Sequence, residues 1–349
     1  MGTLWFCLVA VMMAVYVVLD GFDIGAGIVQ RLVARTDAER GEVVDAIGPV
    51  WDGNEVWLLA GGGTLYFAFP ALYASGFSGF YLPLTIVLWL LILRGIAIEF
   101  RHHIEAEMWR SLWDVVFMGA SVLLAVFFGA ALGNVVRGVP LDAAGYFFLP
   151  LWTDLRMGSS PGILDWYTIL AGVTALVVLA LHGSLWVALK SGGSHAAVRE
   201  RARALAGQLW WAAAALAIAL TAASFAVQPL LRESYAAAPW GLVLPLFAIA
   251  GLLGIRLSRA AEAELRAFLC SSAFIAGLLT SAAFGVFPNL LTASTDPGFS
   301  LTVHNAAADP YGLRIGLLWW IVGMMLASGY TIFVYRHFRG KAPAVTGDR

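Results

Sequence analysis

Nine stretches of this 349-residue chain are long and apolar enough to cross a lipid bilayer, and that property excludes most folds open to a chain of this size. A spanning helix needs roughly twenty apolar residues, and the stretches run at about 4–29, 54–73, 77–100, 114–136, 163–189, 205–227, 239–257, 265–287 and 313–336. Inside hydrocarbon every backbone N–H and C=O must be satisfied within the protein, which leaves helices or closed barrels. Continuous apolar runs of this length select helices. The expected fold is therefore all-α, a polytopic membrane protein of about nine transmembrane helices. Composition agrees: 60% of residues are hydrophobic and 12% charged, with a mean hydropathy of +0.82. The fourteen Trp and thirty-seven Gly fit interfacial belts and close helix packing. No polar stretch is large enough for a second domain, so residues 1–339 read as one integral-membrane domain and 340–349 as a disordered cytoplasmic tail. The segment at 239–257 is short and contains Pro245.

Basic residues give the expected orientation. Sixteen of them fall on one side, in connections that include Arg31, Arg40, Arg101, Arg199 and Arg259 and in the C-terminal tail, against four on the other (Arg137, Arg156, Arg232, Arg314). The positive-inside rule then places the N-terminus outside and the C-terminus in the cytoplasm. The first segment has no positive n-region and no small-residue cleavage site, so it reads as a retained helix. A net charge of −1 gives no basis for nucleic-acid binding. Cys7 and Cys270 are expected near opposite ends of their helices, too far apart for a disulfide. No clustered Cys/His metal site is spelled out.

The ionisable residues inside the apolar segments carry the chemistry. Such groups cost several kcal/mol unless they pair, protonate or face water. Asp20 and Asp23 lie in the inner third of the first segment at i, i+3 spacing. Asp52 and Glu55 repeat that spacing at the start of the second, and Arg94 interrupts the third ahead of Glu99 and Arg101. Three consecutive helices thus bring four acids and one arginine to a similar depth. Two carboxylates about 6 Å apart repel by about 3 kcal/mol at an effective dielectric near 20, so some are expected to hold a proton or be neutralised by Arg94. Groups poised in this way can pass protons. Structural readings stand beside that one: Asp52 as a helix cap, Asp20 with Arg94 as an ion pair joining two helices, and Glu99 with Arg101 as an interfacial pair.

Among the histidines only His182 lies within a span, and without a partner it reads as a hydrogen-bonded core residue rather than an axial ligand. Met12, Met13, Met324 and Met325 read as packing. Gly21, Gly25 and Gly27 are expected to put small residues on one face of the first helix, and Gly61, Gly62 and Gly63 to open the second helix to close packing.

Taken together, Leu19-Asp-Gly-Phe-Asp-Ile-Gly25, Gly48-Pro-Val-Trp-Asp-Gly-Asn-Glu-Val-Trp57, Ala60-Gly-Gly-Gly63, Phe77-Ser-Gly-Phe-Tyr81, the Arg94–Arg101 stretch and Trp109-Arg-Ser-Leu-Trp113 resemble subunit II of the cytochrome bd quinol oxidases. Phe287-Pro288 and Ser300-Leu-Thr302 extend the resemblance over nearly the whole chain. The resemblance implies two four-helix bundles plus one peripheral helix, paired with a similarly folded subunit I. That partner would carry two b-type haems and one d-type haem and the loop that oxidises quinol. No cofactor is expected on this chain alone, with a bound quinone or lipid left open. Small single-helix accessory subunits are further expected partners, beside membrane lipid. Quinol and dioxygen are the implied substrates of the complex, dioxygen being reduced to water with protons drawn from the cytoplasm. Asp52 matches an acid that lines a cytoplasmic proton route in that family. Asp23 and Arg94 match positions associated with an intact haem region, which Glu99, Trp51 and Trp57 are also expected to support. A neutral residue can occupy the Glu55 slot. The competing readings are a proton-coupled secondary transporter using the acids of the first three helices, and a purely structural anchor.

Overall fold

A computed structural model describes residues 1–158, 161–192 and 196–341. All but two of the residues assigned to the tail lie outside that range. The chain order is α1 (Gly2–Val33), α2 (Asp37–Asp45), α3 (Trp51–Ala68), α4 (Pro70–Gly79), α5 (Tyr81–Phe100), α6 (Glu107–Arg137), α7 (Trp166–Lys190), α8 (Ala196–Val227), α9 (Leu230–Ala237), α10 (Val243–Ala260), α11 (Glu264–Val286) and α12 (Pro310–His337). Between α11 and α12, strands β1 (Asn289–Leu291) and β2 (Leu301–Thr302) pair antiparallel. Among the described residues eight helices are long and apolar enough to span a membrane, or nine if α3 and α4 count as one bent span.

That bend corrects the segment read at 54–73. The axis turns by 119° between α3 and α4, and α5 starts only at Tyr81. The ring of Pro70 disfavours helical geometry at the residue before it, and Phe69 accordingly has φ −137° and ψ 65°. Its side chain is fully buried in a cluster with Trp5 and Leu313, which anchors the break. Pro245 has the opposite consequence, because it falls in the first turn of α10, where its missing N–H has no intrahelical partner to lose.

Helix α1 is the central element and packs against α3, α6, α7 and α11. Its closest approach is to α7. A Cβ on Gly25 would stand 2.1 Å from the Leu179 carbonyl oxygen, and one on Gly183 would meet the backbone of Gly25 at the same distance. Only hydrogen fits on either side of that crossing. The glycines are divided differently from the expected single face: Gly21 and Gly25 meet α7, whereas Gly27 meets Ser121 and Phe117 of α6. In the triplet, Gly61 packs against Met13, while Gly62 and Gly63 have no neighbour within 4 Å of an added Cβ among the described residues. Beside the crossing, Phe22 stacks on Trp186 at 4.0 Å, and the Trp186 indole donates to the Ala46 carbonyl at 3.0 Å. Two-thirds of the apolar window of α7 is buried and none of that of α12, so α12 is peripheral within this chain.

At the other end of the helices, the loops on either side of the bundle pack together. Val139, Leu141, Phe147, Leu149 and Ile163 share a core with Leu291 and Ala293. Beneath them Arg137 is ion-paired to Asp165 and donates to Asn134 Oδ1 at 2.7 Å, while Asp165 caps α7 through the N–H groups of Tyr167 and Thr168.

Candidate proton-handling site

Arg94 of α5 organises the site. Its side chain is fully buried, and its two terminal nitrogens diverge to carboxylates on two other helices. Nη1 donates to Asp20 Oδ1 of α1 at 2.6 Å, and Nη2 donates to Glu55 Oε2 of α3 at 2.8 Å. A guanidinium suits this role because its planar fork can serve two acceptors at once. Asp20 is fully enclosed, while the Glu55 side chain is 24% exposed, so the arginine bridges an interior acid and one reached from the surface.

One turn along α1, the fully buried Asp23 is held differently. Asn54 Nδ2 donates to Asp23 Oδ2 at 2.7 Å, and the Tyr335 hydroxyl of α12 donates to Asn54 Oδ1 at 2.9 Å. The direction of this chain follows from chemistry. An ionised carboxylate only accepts, so the amide must turn its NH2 toward Asp23 and its oxygen toward Tyr335. Were Asp23 protonated, the amide could turn over, accept from the acid and donate to the tyrosine oxygen. Around the same place Asp23 Oδ1 and Arg94 Nε are buried without a hydrogen-bond partner among the described residues, while the Tyr16 hydroxyl faces the Asp20 carboxylate. Unsatisfied buried groups of this kind cost roughly 1–3 kcal/mol each.

Asp52 stands at the start of α3 with its side chain exposed. It is not a cap: the N-cap position is Val50, and no side chain caps this helix. Trp51 lies against α5, where a Cβ on Gly95 would be 3.4 Å from its indole, and Trp57 is buried. Glu99 does not join the site. It is exposed, and its described contact is through its backbone carbonyl, which lies 3.0 Å from His103 Nδ1. The expected Glu99–Arg101 pair is replaced by another, because Arg101 Nε donates to Asp114 Oδ1 at 2.8 Å.

Asp114 belongs to a second buried cluster. Its other oxygen accepts from Arg40 at 2.8 Å, Oδ1 also accepts from Gln30 at 3.0 Å, and Arg101 and Arg110 both reach Asp37 of α2 at 2.7 Å. Burial pushes the Asp37 carboxyl up, but the Arg110 hydrogen bond and the charges of Arg101, Arg110 and Arg40 outweigh it and hold the group below its ordinary range. Asn54, Tyr335 and Asp114 escaped the reading of the sequence. Asn54 and Asp114 sit inside or directly after the motifs quoted above, so an amide or acid within an apolar run was the available signal. Tyr335 had none.

His182 of α7 is fully buried, with Nδ1 2.6 Å from the Ser271 hydroxyl, Nε2 3.0 Å from the Val18 carbonyl and its ring stacked on Phe268 at 4.7 Å. A carbonyl only accepts, so Nε2 carries hydrogen and, in the neutral ring, Nδ1 accepts from Ser271. Both nitrogens are engaged, and the ring has no free lone pair for an iron. Among the described residues no group of three or more His, Cys, Asp or Glu could hold a metal ion.

The sequence model of the family described as "Cytochrome bd terminal oxidase subunit II" matches residues 1–338. The chain belongs to this family. A "Probable cytochrome oxidase subunit 2" of Haemophilus influenzae is 31% identical, the match covering 98% of this chain and 95% of that protein. The "Cytochrome bd-I ubiquinol oxidase subunit 2" of Escherichia coli K12 is 30% identical over 97% of this chain and 94% of its own length. The "Cytochrome bd ubiquinol oxidase subunit 2" of Bacillus subtilis is 29% identical over 96% and 95%. Among solved structures, the bd oxidase from Geobacillus thermodenitrificans superposes with a TM-score of 0.72 at 15% identity, covering 97% of this chain and 98% of the matched one. At that identity the match speaks for the fold. The family and the apolar helices together make this subunit II chain an integral membrane protein.

Proposed function

We propose that this chain is the haem-free second subunit of a membrane quinol:oxygen oxidoreductase and that it supplies the cytoplasmic entrance for the protons consumed in reducing dioxygen to water. Quinol oxidation and the two b-type haems and one d-type haem belong to subunit I, the expected partner. In this reading the spans form two four-helix bundles with α12 peripheral, the N-terminus is outside, and the α2 end of the molecule faces the cytoplasm.

The observation that carries the proposal is the graded burial of carboxylates along α1 and α3. Asp52 is exposed, Glu55 is half-buried and paired to Arg94, and Asp20 and Asp23 are fully enclosed. A proton taken up by Asp52 from water has Glu55 one turn further along the same helix. Arg94 cannot itself pass a proton, since a guanidinium stays charged. Its part is to hold Glu55 and Asp20 within reach of each other. With Asp20, Asp23 and Glu55 all ionised, three negative charges would face one positive, a surplus that favours taking up a proton. The unpartnered oxygen of Asp23 supplies an acceptor for an onward path.

Asp52→Asn keeps the shape and removes the titration. In the assembled complex, turnover should fall by more than about tenfold, which is about 1.4 kcal/mol on the limiting step, while haem content per complex stays normal. Full activity in this variant would remove Asp52 from the route.

A further inference from the structure

The helix pair α8 and α10 carries a second charged feature, away from the acids. Trp210 of α8 is buried and donates its indole N–H to the Leu252 carbonyl of α10 at 2.8 Å. One turn beyond Leu252, the exposed Arg256 lays its guanidinium over both indoles, 5.3 Å from the Trp210 ring and 4.8 Å from that of Trp211. The next guanidinium follows the same line. Arg259 donates to the Arg203 carbonyl at 2.8 Å and lies in the space left by Gly207, where a Cβ would stand 2.6 Å from its Nη2. Gly207 and Trp211 are one turn apart on α8, so the helix presents a notch and a platform that hold two guanidinium groups in a row. Neither has a carboxylate within ion-pair distance among the described residues. The nearby acids are taken by another residue, Glu262 pairing with Arg203 at 3.2 Å and Glu200 at 3.8 Å.

Two unneutralised guanidinium groups ask for an anion, and the surroundings specify its kind. Trp211, Leu253 and Leu257, on the same two helices, are 60%, 51% and 70% exposed, and the arginines stand where this apolar surface gives way to the basic connection. A ligand that satisfies both halves has a phosphate at one end and hydrocarbon at the other. We propose that Arg256 and Arg259, braced by Trp210, Trp211 and Gly207, bind the phosphate of an anionic membrane lipid whose acyl chains lie along Leu253 and Leu257. A free phosphate would meet the guanidinium groups but leave the apolar surface uncovered.

The test uses the intact complex with its partner subunit, purified in mild detergent, with retained phosphatidylglycerol counted by native mass spectrometry and its affinity titrated. Arg256→Gln should weaken binding about fivefold, the fold-change equivalent to about 1 kcal/mol per arginine at a membrane surface. Arg256→Gln with Arg259→Gln should weaken it by more than tenfold. Arg256→Lys, which keeps the charge and loses the flat stack on the indoles, should fall in between. Millimolar inorganic phosphate should not displace the lipid, and phosphatidylcholine should bind more weakly. Undiminished phosphatidylglycerol in the double variant would overturn the site. Displacement by inorganic phosphate would make it a free-anion site, and equal retention of phosphatidylcholine would reduce it to interfacial anchoring; either result overturns the proposal. Loss of the partner subunit instead of lipid in the double variant would show the surface to be an interface, and overturn it too.

Discussion

Two buried clusters, each set on α1 and its neighbours, solve the same electrostatic problem in opposite ways. Asp114 and Asp20 are both fully enclosed. Every oxygen of Asp114 is paired, with Arg101 and Gln30 on one and Arg40 on the other. Asp20 has one oxygen on Arg94 and otherwise faces only the Tyr16 hydroxyl, and its neighbour Asp23 keeps an oxygen without a partner among the described residues. Around Asp114 the guanidinium groups outnumber the buried acid, and Asp37 completes the balance at the rim. Around Arg94 the acids outnumber the guanidinium. A saturated cluster has one favoured charge state and acts as a lock between α1, α2, α5 and α6. The unsaturated one is the one that the proposed proton entrance uses.

The sharpest way to break this contrast is to neutralise each acid in turn. Asp114→Asn removes the interior carboxylate that Arg40 and Arg101 share and leaves both to the part-exposed Asp37 alone, and breaking a buried pair costs up to about 3–5 kcal/mol. The complex should assemble poorly and unfold at lower temperature, with turnover per haem unchanged in whatever assembles. Asp20→Asn should do the reverse: Arg94 keeps Glu55 as its partner, so assembly should persist while turnover falls. Thermal unfolding and haem-normalised turnover read the two effects separately. Equal behaviour of the two variants would erase the distinction between lock and relay.

A smaller effect tests whether the relay extends to α12. Tyr335→Phe removes a single hydroxyl and frees Asn54 Oδ1 from its donor. Turnover should drop about two- to fivefold, up to about 1 kcal/mol, and its pH profile should shift because the amide facing Asp23 is no longer held in one orientation. An unchanged profile alongside reduced stability would make Tyr335 only a strap for the last helix.

What could be read from the sequence follows the range over which each interaction acts. Hydropathy is local and gave the long apolar helices, but not the short α2 and α9, which lie outside the apolar stretches, nor the break at Phe69, where one proline outweighs a run that remains apolar on both sides. The acid–arginine group was legible because Asp20, Asp23, Asp52, Glu55 and Arg94 are each conspicuous within apolar segments. Which of them meet was less so: Glu99 has the right composition and points away, while Tyr335 meets Asn54 from 281 positions further along the chain. Asp114 was hidden differently. It lies about two turns into α6, where an acid can still face water at the membrane surface, and only its tertiary partners show that it is buried. The glycines show the same limit, since Gly61 meets Met13 and its neighbours Gly62 and Gly63 meet nothing among the described residues.

The saturated region also has a rim, and its pH dependence gives the smallest and most specific expectation. Glu39 of α2 forms a capping box with Thr36, accepts from the Arg35 N–H at 2.6 Å and pairs with Arg201 of α8 at 2.6 Å. Burial raises the Glu39 carboxyl, but the Arg201 hydrogen bond, the Arg35 and Thr36 N–H groups and the Arg201 charge outweigh it and bring it from 4.5 down to about 2. A carboxylate lowered by folding stabilises the folded state fully above its unfolded value and loses that contribution as pH falls from about 4.5 toward 2. Glu39→Gln keeps the capping geometry without the charge. It should be less stable than the parent by about 1 kcal/mol near neutral pH, the figure being reduced for solvent screening at this partly exposed pair. Thermal unfolding of parent and variant at neutral pH and at about pH 3.5 measures the gap, which should narrow on acidification without closing. A gap of constant size would assign the role of Glu39 to its hydrogen bonds alone and leave the charge balance of the lock to Asp37 and Asp114.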